Sequence, residues 1–303
     1  MMKLLSSNTT NPYINLATEE YLLKETDESY LFIYINDVSV IIGKNQNVYT
    51  EVSTEYIKNN QIPVIRRISG GGTVVHDKGN LNFSIILQQN KNRSVTLPEI
   101  IRPIQQFLED CFNIEVELTT RNSLLVNNKK VSGSAFCYHK DRLLAHGTLL
   151  INSDLDRISK ILHPNPYLFK GRRVKSIISR MINLSRFKSI PRNTKEVEEI
   201  MIEYFTRQGY IKSSLPRHTN TLYINKLIDQ KYSSWEWNIA HGPDFVFHPE
   251  GTASDMFHVK KGRIQQLQKE DNEFVKFKLS EIEDSLLIGK DNDLIKQLER
   301  ILL

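Results

Sequence analysis

Residues 66–84 read RRISGGGTVVHDKGNLNFS, a short stretch holding two arginines, three consecutive glycines, a histidine and two asparagines. Glycine has no Cβ, so such a run can take positive φ and bring the backbone close to a ligand. Successive N–H groups in a loop of this kind form a concave site for an anion. Arg67 adds a planar cationic fork suited to phosphate or carboxylate. The pattern is neither G-x-x-x-x-G-K-[ST] nor G-x-G-x-x-G, so the two commonest nucleotide loops are absent from this stretch. A flexible linker or tight turn is the plain alternative, but a linker has no need of the flanking Arg, His and Asn.

A second group is KKVSGSA (residues 129–135), followed by His146-Gly147-Thr148. A lysine beside a Ser-Gly-Ser turn can rest its ammonium on a phosphate and on the carboxylate that attacks it. It would hold two anionic reactants together and offset the charge that develops between them. Without further context, Lys129 and Lys130 read as a solvated hairpin pair, and His146 reads as a hydrogen-bonded core histidine on a strand.

Composition bounds the rest. The 303 residues are 40% hydrophobic and 25% charged, an ordinary globular balance with room for one large domain or a large and a small one. Forty Lys+Arg against 35 Asp+Glu give a net charge of +5 with no long basic run. This suits an anionic ligand or an acidic protein partner and demands no nucleic acid. Two cysteines, Cys111 and Cys137, make neither a disulfide framework nor a zinc cluster. The N-terminus lacks the sustained apolar core of a signal peptide. No stretch reaches the roughly 20 apolar residues of a membrane helix. The expectation is a cytoplasmic chain with no membrane partner.

The elements that must position the two groups can be read from periodicity. Residues 15–24, 54–59, 97–112, 155–162 and 195–209 carry helical patterns, and the 97–112 segment is clearly amphipathic. Residues 30–35, 38–42, 63–68, 82–88, 114–118, 123–126, 129–132 and 145–151 read as strands, with Asn36-Asp37 and Asn127-Asn128 as turns. The mixture has no strict strand–helix alternation, so the fold class is α+β, with mixed and antiparallel sheets flanked by helices. After Trp235-Glu236-Trp237 and Gly242-Pro243 the composition changes. Short strands at 245–248, 256–259 and 264–268 and a terminal helix at 291–303 make a small α+β C-terminal domain. The division is 1–242 for a catalytic domain and 243–303 for an accessory one.

Taken together and in this order, RRISGGGTVVHDKGNLNFS, KVSGSAF and HGTLL resemble the lipoate–protein ligase family. IIGKNQN (41–47) resembles the strand and loop before that family's ligand site, and NPYINLATEEYL (11–22) its opening helix. VKSIISRMINL (174–184) and WEWNIAHGPDF (235–245) match in character and order. The resemblance covers roughly residues 3–245 and implies a biotin/lipoate ligase-like fold. It also implies a two-step reaction. Lipoate and ATP, with Mg2+, form lipoyl-AMP and pyrophosphate; the lipoyl group then passes to a lysine on an acceptor domain of a 2-oxoacid dehydrogenase or on glycine cleavage H protein.

Carried over by motif position, Arg67, Gly72, Thr73, Val74 and Val75 would line the nucleotide and acyl-adenylate, and Ser69, Gly70 and Gly71 would shape the loop. Lys130 would bridge the lipoyl carboxylate and the α-phosphate. His76 and Asn80 would help build the pocket, and His146, Gly147 and Thr148 would close its other wall. Asn80 could instead set a turn, and Arg180 reads either as a phosphate contact or as a surface charge. Trp235 and Trp237 read as core anchors at the domain boundary. In one place the chain departs from the family: R-N-D becomes Arg121-Asn122-Ser123, which removes a carboxylate and with it any metal or ribose contact assigned there.

The nearest alternative is a lipoyl or octanoyl amidotransferase of the same fold that lacks the ATP-dependent step. A cysteine-dependent transferase needs an activated thiolate. Cys111 reads as helix packing, and Cys137 lacks an evident activating neighbour. A biotin–protein ligase would carry a different arginine-rich glycine loop. A non-catalytic binder of an anionic cofactor has less need of Lys130.

Overall fold

The computed structural model describes residues 1–88, 96–120, 122–164, 169–171, 180–215, 219–248, 256–261, 263–268 and 277–278. Its strands in chain order are β1 (Met2–Ser6), β2 (Ser29–Tyr34), β3 (Ser39–Ile42), β4 (Val64–Arg66), β5 (Val74–His76), β6 (Asn80–Gln88), β7 (Glu117–Leu118), β8 (Ser123–Val126), β9 (Lys129–His139), β10 (Arg142–Leu150), β11 (Phe169–Gly171), β12 (Ile211–Lys212), β13 (Phe245–Phe247), β14 (Met256–Lys260), β15 (Arg263–Gln268) and β16 (Phe277–Lys278). The helices are α1 (Pro12–Lys24), α2 (Thr54–Asn59), α3 (Leu97–Phe112), α4 (Leu155–Ile161), α5 (Thr194–Arg207) and α6 (Thr219–Leu227), the last running into π-helical turns at Ile228–Tyr232 and Glu236–Ala240.

Eight strands join in the order β12-β1-β2-β6-β10-β9-β8-β7. The β1 pairings are parallel and the rest antiparallel, so the sheet is mixed as expected. Strand periodicity divides its side chains between two faces. Leu31, Ile33, Leu81, Phe83, Ile85, Leu143, Ala145 and Leu149 point to one face and pack with Ile101, Ile104, Phe107 and Leu108 of α3 and Val197, Met201 and Phe205 of α5. This is the main core; each large side chain buried there contributes about 1.5–3 kcal/mol.

The alternate residues make the opposite face. Tyr30, Phe32, Ile86 and Leu144 on it pack against Leu22 and Leu23 of α1. The same face carries Asn82, Ser84, His146 and Thr148, opposed in register as His146↔Ser84 and Thr148↔Asn82. Polar side chains in a face otherwise covered by a helix need partners, because a buried unpaired group costs about 1–3 kcal/mol. Those partners define the site below.

Helix α1 starts where Asn11 accepts hydrogen bonds from the N–H groups of Tyr13 and Ile14, with Pro12 in the first turn. Its far side packs Leu16 and Ala17 on Ile41, Ile65, Ile224 and Tyr232. The helix is therefore enclosed between the large sheet, a three-stranded sheet (β4-β3-β5) and the late helical segment.

Several elements differ from their sequence expectation. Strands β2 and β3 flank one turn yet belong to different sheets. Strand β9 runs on to His139 rather than ending at Ser132, because its pairing with β10 continues past the glycine. The 114–118 strand shrinks to Glu117–Leu118. The short strands β1 and β5 and the helical stretch 219–240 carried no strong periodic signal. The Asn127-Asn128 turn is as expected, with both residues at positive φ (52° and 57°). After Gly242-Pro243, β13 to β16 form a sheet with β11, a strand contributed from residues 169–171. The expected helix at 291–303 and residues 174–179 lie outside the described residues.

Candidate active site

A cavity of about 510 Å³ opens on the polar part of the large sheet, a volume typical of a small-molecule site. Leu16 and Glu19 of α1, Tyr34 of β2, Ile41 of β3, the loop after β4 with β5 (Arg67, Gly71 to Val74, His76), Leu125 and Lys130 of the β8–β9 hairpin, Gly133 to Ala135, and His146 to Thr148 of β10 line it. Ten of the sequence-predicted residues thus meet on one wall system: Arg67, Gly71, Gly72, Thr73, Val74, His76, Lys130, His146, Gly147 and Thr148. Four do not reach the cavity lining. Ser69 sits just behind it, Gly70 lies at the loop, and Val75 turns into a core with Val40 and Ile42. Asn80 is fully buried, and its Nδ2 donates to the Val75 carbonyl (3.0 Å), so it braces the strand that follows the loop.

The glycine loop is held from behind by Arg67. Its Nη2 donates to the carbonyls of Gly70 and Gly72 (both 2.6 Å), its Nη1 to that of Ile41 (3.0 Å) and its Nε to Ser69 Oγ (3.0 Å). The guanidinium thus shapes the loop by gathering its carbonyls. Among the described residues, the N–H groups of Gly70, Gly71 and Gly72 meet no protein acceptor. Of the three glycines only Gly71 has positive φ (87°). Gly43 is the tighter requirement: a Cβ there would lie 2.2 Å from the Gly71 carbonyl oxygen. Burial lowers the Arg67 pKa to about 10, with the Glu19 carboxylate working the other way.

Behind the loop runs a directional hydrogen-bond chain. Arg67 donates to Ser69 Oγ, which meets His146 Nε2 at 2.6 Å, and His146 Nδ1 lies 3.1 Å from both oxygens of Glu19. Tyr34 Oη donates to the same carboxylate (2.9 Å), as does Ser84. Burial pushes the Glu19 carboxyl up, but His146, Ser84 and Tyr34 outweigh it and leave the pKa below the ordinary value. An ionised Glu19 accepts from His146 Nδ1–H, which leaves Nε2 to meet Ser69. Glu19 and Tyr34 were not anticipated: they fell within the expected helix at 15–24 and strand at 30–35 with no role assigned. The available signal was the apolar setting of this part of α1, since Leu16, Leu22 and Leu23 lie one turn from Glu19.

Lys130 comes from the far side, and a β-bulge aims it. The β8–β9 register passes from Leu125↔Lys130 to Leu124↔Ser132, leaving Val131 as the extra residue. Val131 is buried in the main core. Lys130 and Gly133, three apart, therefore share the cavity face, which strict alternation would forbid. The backbone of Lys130 is fixed by hydrogen bonds with Arg180 O (2.8 Å) and Ile182 N (3.1 Å); the Arg180 side chain itself is exposed. Gly133 leaves room for the ammonium, because a Cβ there would lie 3.0 Å from Lys130 Nζ. Among the described residues the ammonium has no hydrogen-bond or ion-pair partner, and burial lowers its pKa. A desolvated cation of this kind favours an anionic ligand.

His76 is neutral: burial first, then the nearby Arg67 and His146, take its pKa down to about 3. Neither cysteine is a thiolate candidate. Burial, with Glu19 and Glu20, pushes Cys137 up to about 12, and burial with Asp110 raises Cys111. Among the described residues no group of three His, Cys, Asp or Glu side chains could hold a metal ion. No helix there is long and apolar enough to cross a membrane.

A family profile described as "Lipoyl protein ligase A/B catalytic domain" matches residues 11–206. The chain is 39% identical to "Lipoate–protein ligase 1" of Staphylococcus aureus, over 87% of this chain and 83% of that protein. It is 34% identical to "Lipoate-protein ligase LplJ" of Bacillus subtilis, over 96% and 90%. Among solved structures, the fold is similar to LipL1 of P. falciparum in complex with lipoate (TM-score 0.66, 27% identity, 91% of this chain and 85% of that one). It is also similar to lipoate-protein ligase A bound with ATP (0.63, 25%, 78% and 97%). A third is a bipartite lipoate protein ligase of Thermoplasma acidophilum, from a study with its E2 lipoyl domain (0.64, 25%, 78% and 94%).

Proposed function

The chain belongs to the lipoyl protein ligase A/B catalytic-domain family, and from that premise we propose how it works. It is a lipoate–protein ligase: it activates lipoate with ATP and transfers the lipoyl group to a protein lysine. The observation that carries the assignment of roles is the half-buried Lys130, whose ammonium has no partner among the described residues and lines the same cavity as the glycine loop.

In the first half-reaction a carboxylate oxygen of lipoate attacks the α-phosphorus of ATP, and pyrophosphate leaves with the electron pair of the broken P–O bond. The two reactants are both anions and repel. Lys130 holds them together and offsets the charge that grows on the phosphoryl oxygens, an effect strengthened where water is excluded. The N–H groups of Gly71 and Gly72, which have no acceptor among the described residues, hold phosphate oxygens, and Arg67 keeps the Gly70 and Gly72 carbonyls turned away. Thr73, Val74 and the Leu16–Ile41 side of the cavity take the acyl chain, with His146, Gly147 and Thr148 against it. Ser69, Val75 and Asn80 shape the loop from behind. In the second half-reaction the acceptor amine attacks the acyl carbonyl and AMP departs. Magnesium would enter with ATP as its counter-ion and offset charge on the phosphates.

The acceptors are lipoyl domains of 2-oxoacid dehydrogenase complexes and glycine cleavage H protein, and the setting is cytoplasmic. Residues 1–242 form the catalytic unit and 243–303 the accessory one. The test is pyrophosphate release from ATP, magnesium and lipoate with no acceptor present. The enzyme releases it; absence of release, with transfer intact from a supplied acyl-adenylate, would favour the amidotransferase reading. Lys130→Ala lowers the adenylation rate by about a hundredfold or more while the circular-dichroism spectrum is unchanged. Normal single-turnover adenylation in that variant refutes the role.

A further inference from the structure

The neutral His76 raises a question that the reaction above does not use: which ring nitrogen carries its proton. The answer can be traced to an obligate acceptor. Asn15 Nδ2 lies 3.1 Å from the Thr9 carbonyl, a group that only accepts, so the Asn15 amide orientation is fixed. The same Nδ2 reaches Asn36 Oδ1 at 2.7 Å, and Asn15 Oδ1 accepts from Ser7 Oγ at 2.6 Å. A nitrogen that donates to Asn36 must face its oxygen. Asn36 Nδ2 therefore faces His76 Nδ1 at 2.9 Å and donates to it. Asn15 and Asn36 are both fully buried, so water does not compete for these positions. With Nδ1 occupied as an acceptor and the ring neutral, the proton sits on Nε2. Among the described residues Nε2 has no acceptor, and His76 lines the cavity.

We propose that Asn36, oriented by Asn15, is a positioning residue that locks His76 as an Nε2–H donor toward an oxygen of the bound acid or its adenylate. The ligand class is an acceptor-only oxygen, either carboxylate or phosphoryl. The inference rests on the ligase reading for its consequence, but the proton position is a property of the free protein. His76 is by this arrangement excluded as a general base, since its only free nitrogen already holds the proton. Arg67 and His146 are the charged and titratable groups that face it, and both disfavour a second proton.

The direct test is the 15N–1H long-range correlation spectrum of the imidazole side chains in the unliganded protein, with His76 assigned by its loss in His76→Gln. The expected pattern is protonated Nε2 and unprotonated Nδ1; a protonated Nδ1 overturns the proposal whatever the enzyme's activity. The functional test uses side chains that mimic one ring nitrogen each. The Gln amide can reach the position of Nε2, while the Asn amide can reach only that of Nδ1. His76→Gln should therefore keep kcat for pyrophosphate release within about tenfold, and His76→Asn should lose a further factor of about 10 to 100. Equal loss in both rejects the donor role. Asn36→Asp, which forces a proton onto Nδ1, should impair the native enzyme but add little in the His76→Gln background. Additive losses would reduce Asn36 to a structural residue. If the native enzyme releases no pyrophosphate, the ligase reading fails while the spectrum still decides the proton position.

Discussion

Single side chains in this protein are set by their surroundings more than by their type. His76 would titrate near 6.5 in an unfolded chain but is held at about 3 in the folded one. Between these values the unfolded chain binds a proton that the folded chain refuses. Full stability is therefore present above about pH 6.5 and is lost as pH falls toward 3, by about 1.4 kcal/mol per pH unit. His76→Gln should flatten the acid limb of the stability curve by that slope, measured by denaturant titration at several pH values; an unchanged limb would show that the ring is not neutral. The thiols give a second expectation at this scale. Cys137 is held up to about 12 and Cys111 is also raised, so Cys137→Ser and Cys111→Ser should both retain lipoyl transfer. Loss of transfer in a stably folded variant would reopen a thioester route. Sequence pattern identified Lys130, Arg67 and the glycines because their types are unusual in combination. It passed over Glu19 and Tyr34 because a carboxylate on a helix and a tyrosine on a strand are ordinary until the helix proves to be enclosed. It also placed Val75 and Asn80 on the wall. Alternation along β5 sends Val75 into the core, and the Asn80 amide is consumed by the backbone it braces.

At the scale of elements, the site depends on two irregular pieces of backbone. One is the bulge at Val131, which puts Lys130 and Gly133 on one face; no periodic reading of KKVSGSA shows it, and the same irregularity ended the expected strand at Ser132 too early. The other is the contact between the turn at Gly43 and the glycine loop. Gly43→Ala drives a Cβ to 2.2 Å from a backbone oxygen, which no rotamer change relieves. It should cost about 1–3 kcal/mol and weaken nucleotide binding, read as a raised KM for ATP. Gly70, where a Cβ meets nothing within 4 Å, should accept Ala with a stability change within about 0.5 kcal/mol. If the two substitutions prove equally damaging, glycine matters here for flexibility and not for close approach. The helices α2 and α3 were legible to the residue because their apolar spacing is local; β1 and β5 were not, since three- to five-residue strands are specified by their neighbours.

At the scale of the molecule, Arg66 joins distant parts of the chain. It is fully buried, and its guanidinium donates to the carbonyls of Gly43, Lys44 and Gln46 on one side and of Trp237 and Asn238 on the other. Its own backbone N–H and carbonyl are bound by Asn238 Oδ1 and Trp237 Nε1. Burial, then Arg67, lowers its pKa to about 10, so it stays charged, balanced by carbonyl dipoles alone. Arg66→Lys keeps the charge but cannot reach both sides, and should cost about 3 kcal/mol or more, seen as a lower denaturant midpoint. A midpoint within error of the native one would mean that the late segment is held by its apolar contacts. This latch also has a consequence for biosynthesis. The partners of Arg66 at Asn238 are made 172 residues after it, an interval of roughly 10–30 s at ribosomal speed. Throughout that time the strands around Arg66 hold a cation whose partners at Trp237 and Asn238 have not yet been made.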